Sequence, residues 1–307
     1  MDICAVIVTY NPSIEMLTKN IQATKAQVSN CLLVDNGSSN NTDIVNFADS
    51  NNVKLISLKK NKGIAAAQNV GFNWAKNNVF DWVLTLDQDS IIPKNMMEEY
   101  MASGKMLETN TGIITGTYFD RKWTQVQKRH LSYQGNDSFS EKKMVISSGN
   151  LVKVSAWEKV SGFDESLFID MVDYDFDAKL VLAGYKIWQI NRVKMEHAVG
   201  KVIHKPVLEH LLLLPETGLL ADHPSFRQYY IYRNTIIFQK RYPMFGEKKF
   251  LIIRSILATR RMIVYRNSFP KFIAAWKGIR DGNRYNPNND VFFKNIMKQI
   301  HESSKIG

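Results

Sequence analysis

Trp82-Val83-Leu84-Thr85-Leu86-Asp87-Gln88-Asp89-Ser90 is an apolar run that ends on two carboxylates one residue apart. Its length suits a strand, and strand side chains alternate between faces, so Asp87 and Asp89 share a face only while the chain stays extended. In a turn the two can converge on one ion. Carboxylate oxygens are the ligands that Mg²⁺ and Mn²⁺ prefer, and such ions are commonly held by one or two carboxylates plus substrate phosphates. The pair therefore points to a nucleotide diphosphate. An Asp-x-Asp by itself is an ordinary solvated turn, so its weight depends on its surroundings.

Upstream, strand and helix signals alternate. Cys4 to Thr9 is rich in β-branched residues and closes on Tyr10-Asn11-Pro12, where proline favours a turn and then helix entry. Helical material from Ile14 to Val28 leads to the buried strand Cys31 to Val34 and the turn formers Asp35-Asn36-Gly37-Ser38-Ser39. A helix from Thr42 to Ser50, a strand from Val53 to Leu58, Asn61-Lys62-Gly63 and a helix from Ile64 to Asn77 complete the run. Strand and helix repeated at this spacing predict an α/β fold, a parallel sheet with helices on both faces. Ligands of such sheets bind outside the carboxyl ends of the strands. Tyr10-Asn11, Asp35-Asn36, Asn61-Lys62-Gly63 and Asp87-Gln88-Asp89 all fall at those ends, on one rim.

Beyond residue 112 shorter strand-like pieces follow. Gln134 to Lys143 reads as a polar loop, Ser147 to Val152 as a strand, Phe163 to Asp170 as a connector, Asp173 to Ala183 as a helix stopped by Gly184, and Lys186 to Ile190 as a strand. Past Phe226 the chain becomes basic, aromatic and helical. Lys248 to Arg266 is expected as a helix with Phe250, Ile253, Leu257 and Val264 near one face and Arg254 and Arg261 on another. It reads as a packing helix or as one lying on a membrane surface.

Charge divides the chain. Residues 224–307 hold 17 Lys+Arg against 4 Asp+Glu, net +13, while residues 1–223 hold 23 against 25, net −2. The expected organisation is a catalytic unit over 1–223 and a basic extension over 224–307. Such asymmetry suits an anionic membrane surface or nucleic acid. A nucleic-acid binder would leave the acidic rim unexplained, so no nucleic acid partner is expected, and the same objection meets a non-catalytic scaffold. The extension could also complete the acceptor site or mediate a homo-oligomer. The start of the chain, Asp2-Ile3-Cys4-Ala5-Val6-Ile7-Val8, reads as a strand and not a signal peptide. No segment carries the roughly 18 uncharged apolar residues of a membrane span. Two cysteines, Cys4 and Cys31, make no disulfide framework and suggest buried thiols in a reducing, cytoplasmic setting.

The ordered words Val8-Thr9-Tyr10-Asn11, Val34-Asp35-Asn36-Gly37-Ser38, Asn61 to Gly71, Leu86-Asp87-Gln88-Asp89-Ser90, Ser148-Gly149-Asn150, Phe168 to Asp175, Gly184-Tyr185, Glu196-His197-Ala198-Val199-Gly200 and Tyr229 to Asn234 resemble the family-2 inverting glycosyltransferases, most closely their bacterial rhamnosyltransferase-like members. The resemblance implies a glycosyltransferase A-type fold, a Rossmann-like nucleotide-binding sheet with a mixed acceptor half. It implies that Tyr10 packs on the nucleobase beside Thr9 and Asn11, and that Asp35, presented by Asn36-Gly37, accepts hydrogen bonds from base or ribose. Gly63 would let ribose and diphosphate approach the backbone, in competition with a plain small-residue helix contact. Asn69 and Gln88 join this donor-binding set. Asp87 meets ribose and metal, and Asp89 is the firmer contact to Mn²⁺ or Mg²⁺. His197 would complete the metal or diphosphate site.

The family's inverting chemistry needs a base at the acceptor hydroxyl. The resemblance places it at Asp173, with Asp170 and Asp175 as competitors, and a helix N-terminus there is expected to favour the ionised form. Two positions depart from the family pattern. Gln68 stands where many members have arginine, a departure that recurs in rhamnosyltransferase-like members and supports that subgroup, and Lys179 replaces an arginine with loss of the bidentate fork. The implied donor is dTDP-β-L-rhamnose, with UDP-galactofuranose, UDP-glucose or UDP-N-acetylglucosamine as the alternative. The implied acceptor is a lipid-linked or growing bacterial surface glycan at the inner face of the membrane.

Overall fold

Four strands at one end of a mixed sheet are parallel because each is followed by a helix that returns the chain to the starting edge. These are β1 (Ile3–Thr9), β2 (Asn30–Asp35), β3 (Lys54–Ser57) and β4 (Trp82–Asp87), with α1 (Ile14–Lys25), α2 (Asn41–Ser50) and α3 (Ile64–Asn77) between them. The computed structural model describes residues 1–119, 125–126, 137–196, 203–214, 220–246 and 250–303. After α4 (Met96–Ala102), the strands β5 (Thr111–Phe119), β6 (Phe139–Lys142), β7 (Asn150–Lys153) and β8 (Lys186–Glu196) extend the sheet to the order β3-β2-β1-β4-β7-β5-β8-β6. Here β7 runs antiparallel to both β4 and β5, β8 is parallel to β5, and β6 is antiparallel to β8.

Alternation along β1 divides the core. Cys4, Val6 and Val8 enter one apolar cluster with Ala65, Ala67 and Phe72 of α3. Ala5 and Ile7 enter the cluster on the opposite face with Leu17 and Ile21 of α1. A strand covered on both faces must be apolar at every position, and this one is buried along its length except at its first residue. Both cysteines are buried, and desolvation pushes the thiols up, to about 12 for Cys4 and about 11 for Cys31.

The remaining helices are α5 (Val154–Lys159), α6 (Val172–Leu182), α7 (Pro206–Leu211), α8 (Ser225–Arg241), α9 (Leu251–Ala258), α10 (Ser268–Arg284) and α11 (Val291–Ser303). Helices α8 and α10 lie close because Gly278 has no side chain: a Cβ there would stand 2.3 Å from the Tyr229 carbonyl oxygen. The boundary expected at 223/224 falls just before α8, but packing crosses it, since Ile296 and Ile300 of α11 join the cluster of Phe176 and Leu180 from α6.

Three local expectations are corrected. The loop expected over Gln134 to Lys143 contains β6, a half-exposed edge strand held by β8. Strand β8 runs to Glu196, six residues past the expected end. The helix expected over Lys248 to Arg266 breaks into α9 and a 3-10 segment, Thr259–Val264. The tighter winding rotates Val264 into the core at 0% exposure while Phe250, Ile253 and Leu257 stay outside.

Candidate active site

The carboxyl ends of β1, β2 and β4 stand side by side, with Thr9 in register with Asp35 and Val8 with Asp87. Their turns are tied together by side chains. Asn11 adopts a left-handed conformation, receives Ser39 N–H at 2.7 Å on its Oδ1, and donates its own N–H to Ser38 Oγ at 2.8 Å. Asn36 takes Lys62 N–H at 2.9 Å and gives its amide to Asn61 Oδ1 at 3.1 Å, clipping the β2 turn to the loop before α3. Asp35 lies beneath the rim. It is fully buried and accepts from Thr9 Oγ1, Ser38 N–H and Asn41 Nδ2, so its carboxylate frames the turn. Tyr10 stands on the rim, 45% exposed, with its backbone N–H held by Gln88 Oε1 at 2.8 Å.

The Asp87-Gln88-Asp89 turn is built from below. Asp87 N–H donates to Ser148 Oγ at 3.1 Å, Ser90 and Ser148 hydroxyls meet at 2.7 Å, and the Tyr100 hydroxyl donates to the Gly149 carbonyl at 2.9 Å. The Ser148-Gly149-Asn150 word is thus the buttress of the acidic turn. Asp89 is exposed and Asp87 half-buried. Among the described residues no group of three or more His, Cys, Asp and Glu side chains is placed to hold a metal. The carboxylates of the exposed Asp89 and the half-buried Asp87 fit Mn²⁺ or Mg²⁺ only with further oxygens from a diphosphate, the ligand set these ions use. His197 lies outside the described residues. Glu196, just before it, bridges Ile91, two residues past Asp89.

Opposite this turn sits the loop that enters α6. Phe168, Asp170 and Met171 all have positive φ, near 63°. Non-glycine residues persist there only where their surroundings over-determine them. Helix α8 supplies those surroundings. Asn234 Nδ2 lies 2.8 Å from the Leu167 and Ile169 carbonyls and 2.9 Å from that of Asp170, and Arg227 grips the Asp170 carboxylate through Nε and Nη2 at 3.0–3.2 Å. Tyr230 stacks on Phe168 with ring centroids 5.0 Å apart. From the donor side, the Phe168 carbonyl accepts Ile64 N–H at 2.7 Å and lies 2.5 Å from where a Gly63 Cβ would be. A close approach that requires glycine at 63 is therefore made by the protein's own backbone. The alanines after it are buried against the sheet, as a small-residue contact requires.

Asp173 follows at the first turn of α6. Burial pushes its carboxyl up to about 6, and the charges of Asp170 and Asp87 push the same way, against hydrogen bonds from backbone N–H groups, including Tyr174 N–H at 3.0 Å. Desolvation overrides the helix N-terminus, so the expected stabilisation of the ionised form is reversed. The coupling also brings Asp173 and Asp87 to one site. Asp175 is removed as a rival: it is 1% exposed, takes Arg241 Nη1 at 2.9 Å and the Tyr242 hydroxyl at 2.9 Å, and pairs with Lys179 at 3.3 Å. Asp170 is committed to Arg227. Arg241 also binds Asp164 at 2.6 Å and Asp290 at 2.7 Å, locking α8 and the start of α11 behind the loop. Burial opposes ionisation of Asp164, but Arg241 and Ser166 prevail and hold its carboxyl below the usual range.

Asn69 is not brought to the site. Its amide clamps the Phe163 turn, donating to the Phe163 carbonyl and Glu165 and accepting from Phe163 N–H and Trp157 Nε1. Sequence reasoning missed Tyr118, whose buried hydroxyl is pushed well up by desolvation, with the charges of Asp87, Asp173 and Asp177 contributing. A strand tyrosine carries no signal for that placement. Asn234 lay in a quoted word without a role, and Arg227 in none.

The family described as "Glycosyl transferase family 2" matches residues 4–157. A "dTDP-rhamnosyl transferase RfbF" of Shigella flexneri is 30% identical over 306 residues, covering 93% of this chain and 99% of that protein. A "Poly-beta-1,6-N-acetyl-D-glucosamine synthase" of Staphylococcus aureus (strain COL) is 31% identical over 111 residues, 35% of this chain and 26% of its own length. Among solved structures, GalNAc-T7 with UDP, GalNAc and Mn²⁺ aligns over 100% of this chain and 57% of its own, with TM-score 0.57 and 13% identity. S. aureus TarS 1-349 in complex with UDP-GlcNAc aligns over 100% of this chain and 92% of its own, with TM-score 0.50 and 14% identity.

Proposed function

The chain belongs to glycosyl transferase family 2 and has a glycosyltransferase A-type fold, and from this premise we propose that it transfers L-rhamnose from dTDP-β-L-rhamnose, with inversion, to a hydroxyl of a lipid-linked or growing bacterial surface glycan at the inner face of the cytoplasmic membrane. The observation that carries the chemistry is Asp173, held at the acid rim on a braced loop with its carboxyl at about 6. The identity to a dTDP-rhamnosyl transferase over nearly the whole of both chains supports the donor.

In this reading Tyr10 stacks on the thymine, while Asn11 and Asn36 fix the turns around it. Gln88 holds the Tyr10 backbone and so sets the ring over the pocket. Asp89 and Asp87 would hold Mn²⁺ or Mg²⁺, with His197 as a further ligand, and a bound metal would neutralise charge developing on the leaving dTDP. Asp173 accepts the proton of the acceptor hydroxyl as its oxygen attacks the anomeric carbon from the face opposite the nucleotide. The bond from that carbon to phosphate oxygen breaks, dTDP departs with the electron pair, and the product linkage is α-L. A base at about 6 is ionised at neutral pH yet close enough in basicity to take the proton.

A thermal-shift panel of dTDP-rhamnose, UDP-sugars and GDP-sugars, each with Mn²⁺, Mg²⁺ or chelator, tests this, because a ligand selective for the native state raises its stability. Metal-dependent stabilisation by dTDP-rhamnose alone is expected. Preference for a UDP-sugar would replace the donor while leaving the mechanism, and equal shifts with chelator would remove the metal.

A further inference from the structure

Helices α9 and α10 are apolar on two sides. Their inner sides are ordinary: Leu251, Ile252, Ile256, Ala275 and Ile279 pack into the cluster around Tyr232 and Ile236 of α8. Their outer sides break the expected pattern of a surface helix. Phe250, Ile253 and Leu257, spaced i, i+3 and i+7, are 70, 54 and 53% exposed. Phe269, Phe272, Ile273 and Trp276, spaced i, i+3, i+4 and i+7, are 40–73% exposed. The two helices touch each other and the 3-10 segment between them. Two exposed apolar rows on touching helices are the kind of surface that marks an interaction site.

Charge decides the partner. Of the eight Lys and Arg in residues 250–284, Arg254, Arg266, Lys277, Arg280 and Arg284 are exposed, against one acidic residue, the half-buried Asp281, while Lys271 is buried in a pair with Asp222. A second copy docking face to face would bring this basic surface against itself, with like charges apposed. An anionic surface complements it. Aromatic and aliphatic side chains rimmed by Lys and Arg are the composition of helices that lie in the headgroup plane, and no helix of the described residues is long and apolar enough to cross a membrane.

We propose that the outer face of α9 and α10 docks on an anionic lipid bilayer, with Phe250, Phe269 and Trp276 entering the headgroup boundary and Arg266 and Lys277 meeting lipid phosphates. This deepens the reading of a membrane-borne acceptor and rests on it for its purpose, but not for its test. The placement has a functional geometry. Helix α10 packs on α8 through Gly278, and α8 in turn grips the base loop through Asn234 and Arg227. One helix diameter, about 10 Å, thus separates the docking helix from the element that positions Asp173.

The experiment is sedimentation of the full chain, without donor, on phosphatidylcholine vesicles with and without phosphatidylglycerol. Pelleting is expected only with the anionic lipid and is expected to fall with added salt. Replacing Phe269, Ile273 and Trp276 together by serine, and separately Arg266→Glu with Lys277→Glu, should each lower partitioning by roughly tenfold or more, with transfer to a water-soluble acceptor glycoside unchanged. Absence of pelleting, equal pelleting on neutral vesicles, or conversion of a dimer to a monomer by the serine variant in light scattering would overturn the proposal, the last in favour of a second copy. A chain that pellets as expected but ignores dTDP-rhamnose would keep the docking face and remove the donor reading; transfer without pelleting would do the reverse.

Discussion

The two sides of the site are held by different chemistry. The donor turns are knitted by neutral amides and hydroxyls, Asn11, Asn36, Ser38, Ser39 and Asn61, around the single buried carboxylate of Asp35. The base loop adds ions to the neutral amide of Asn234: Arg227 on Asp170 within it, and Arg241 on Asp164, Asp175 and Asp290 behind it. The difference follows from what each side does. Neutral ties leave the charge of the rim to Asp87 and Asp89, where a metal and diphosphate are proposed to meet. The base loop carries three left-handed residues, at on the order of 1–3 kcal/mol each, and needs strong partners to stay folded that way.

The comparison can be broken most sharply at the base. Asp173→Asn should lower kcat by about 10²–10⁴-fold while thermal-shift titration with dTDP-rhamnose gives an unchanged donor affinity; loss of both together would make Asp173 structural. The same change should raise the Tm by a few degrees. A carboxyl raised to about 6 is favoured in its protonated form by folding, so its ionised form costs the native state on the order of 3 kcal/mol at neutral pH, a cost that asparagine does not have. On the ionic side, Arg241→Leu should destabilise the protein by about 3–5 kcal/mol in urea melts, because the buried carboxylates of Asp164 and Asp175 and the half-buried one of Asp290 lose its guanidinium. Acid should act at the same place. Asp164 and Asp290 are held below the usual carboxylate range, so their contribution is complete above about pH 4 and is lost as pH falls below it. Asn234→Ala should lower kcat by roughly 10- to 100-fold through misplacement of the loop, leaving donor binding intact. Should donor binding fall instead, Gly63 and Phe168 transmit the disturbance to the other side. On the neutral side, Asn36→Ala should cost only about 1–2 kcal/mol. The smallest test is the pH profile: kcat/KM should decline tenfold per pH unit below about 6 and stay level above it, since the base works ionised.

These contrasts also explain how much could be read from the chain. Alternation of strands and helices over the first hundred residues was legible because each strand is doubly buried and each turn carries its own formers. Helix α3 ends where the pattern predicts. Asp87, Asp89 and Asp173 were legible as words. Strand β6 was not, since Phe139-Ser140-Glu141-Lys142 is a polar edge that only β8 makes into a strand. Nor was the locking of the base loop, because Arg241 finds its carboxylates 49 to 77 residues away. The direction in which Asp173 titrates depends on burial, a property of the assembled site. Local chemistry suggested the opposite sign.

The two cysteines carry a consequence of their own. Both thiols are buried, with protonation favoured far above neutrality, so neither offers a thiolate to alkylating reagents in the native state. The natural chain is therefore silent toward maleimide probes. A single cysteine introduced at Phe250 or Phe269 would be the one reactive position, and a fluorophore or spin label attached there would read directly how deep that point of the surface sits in a lipid headgroup layer.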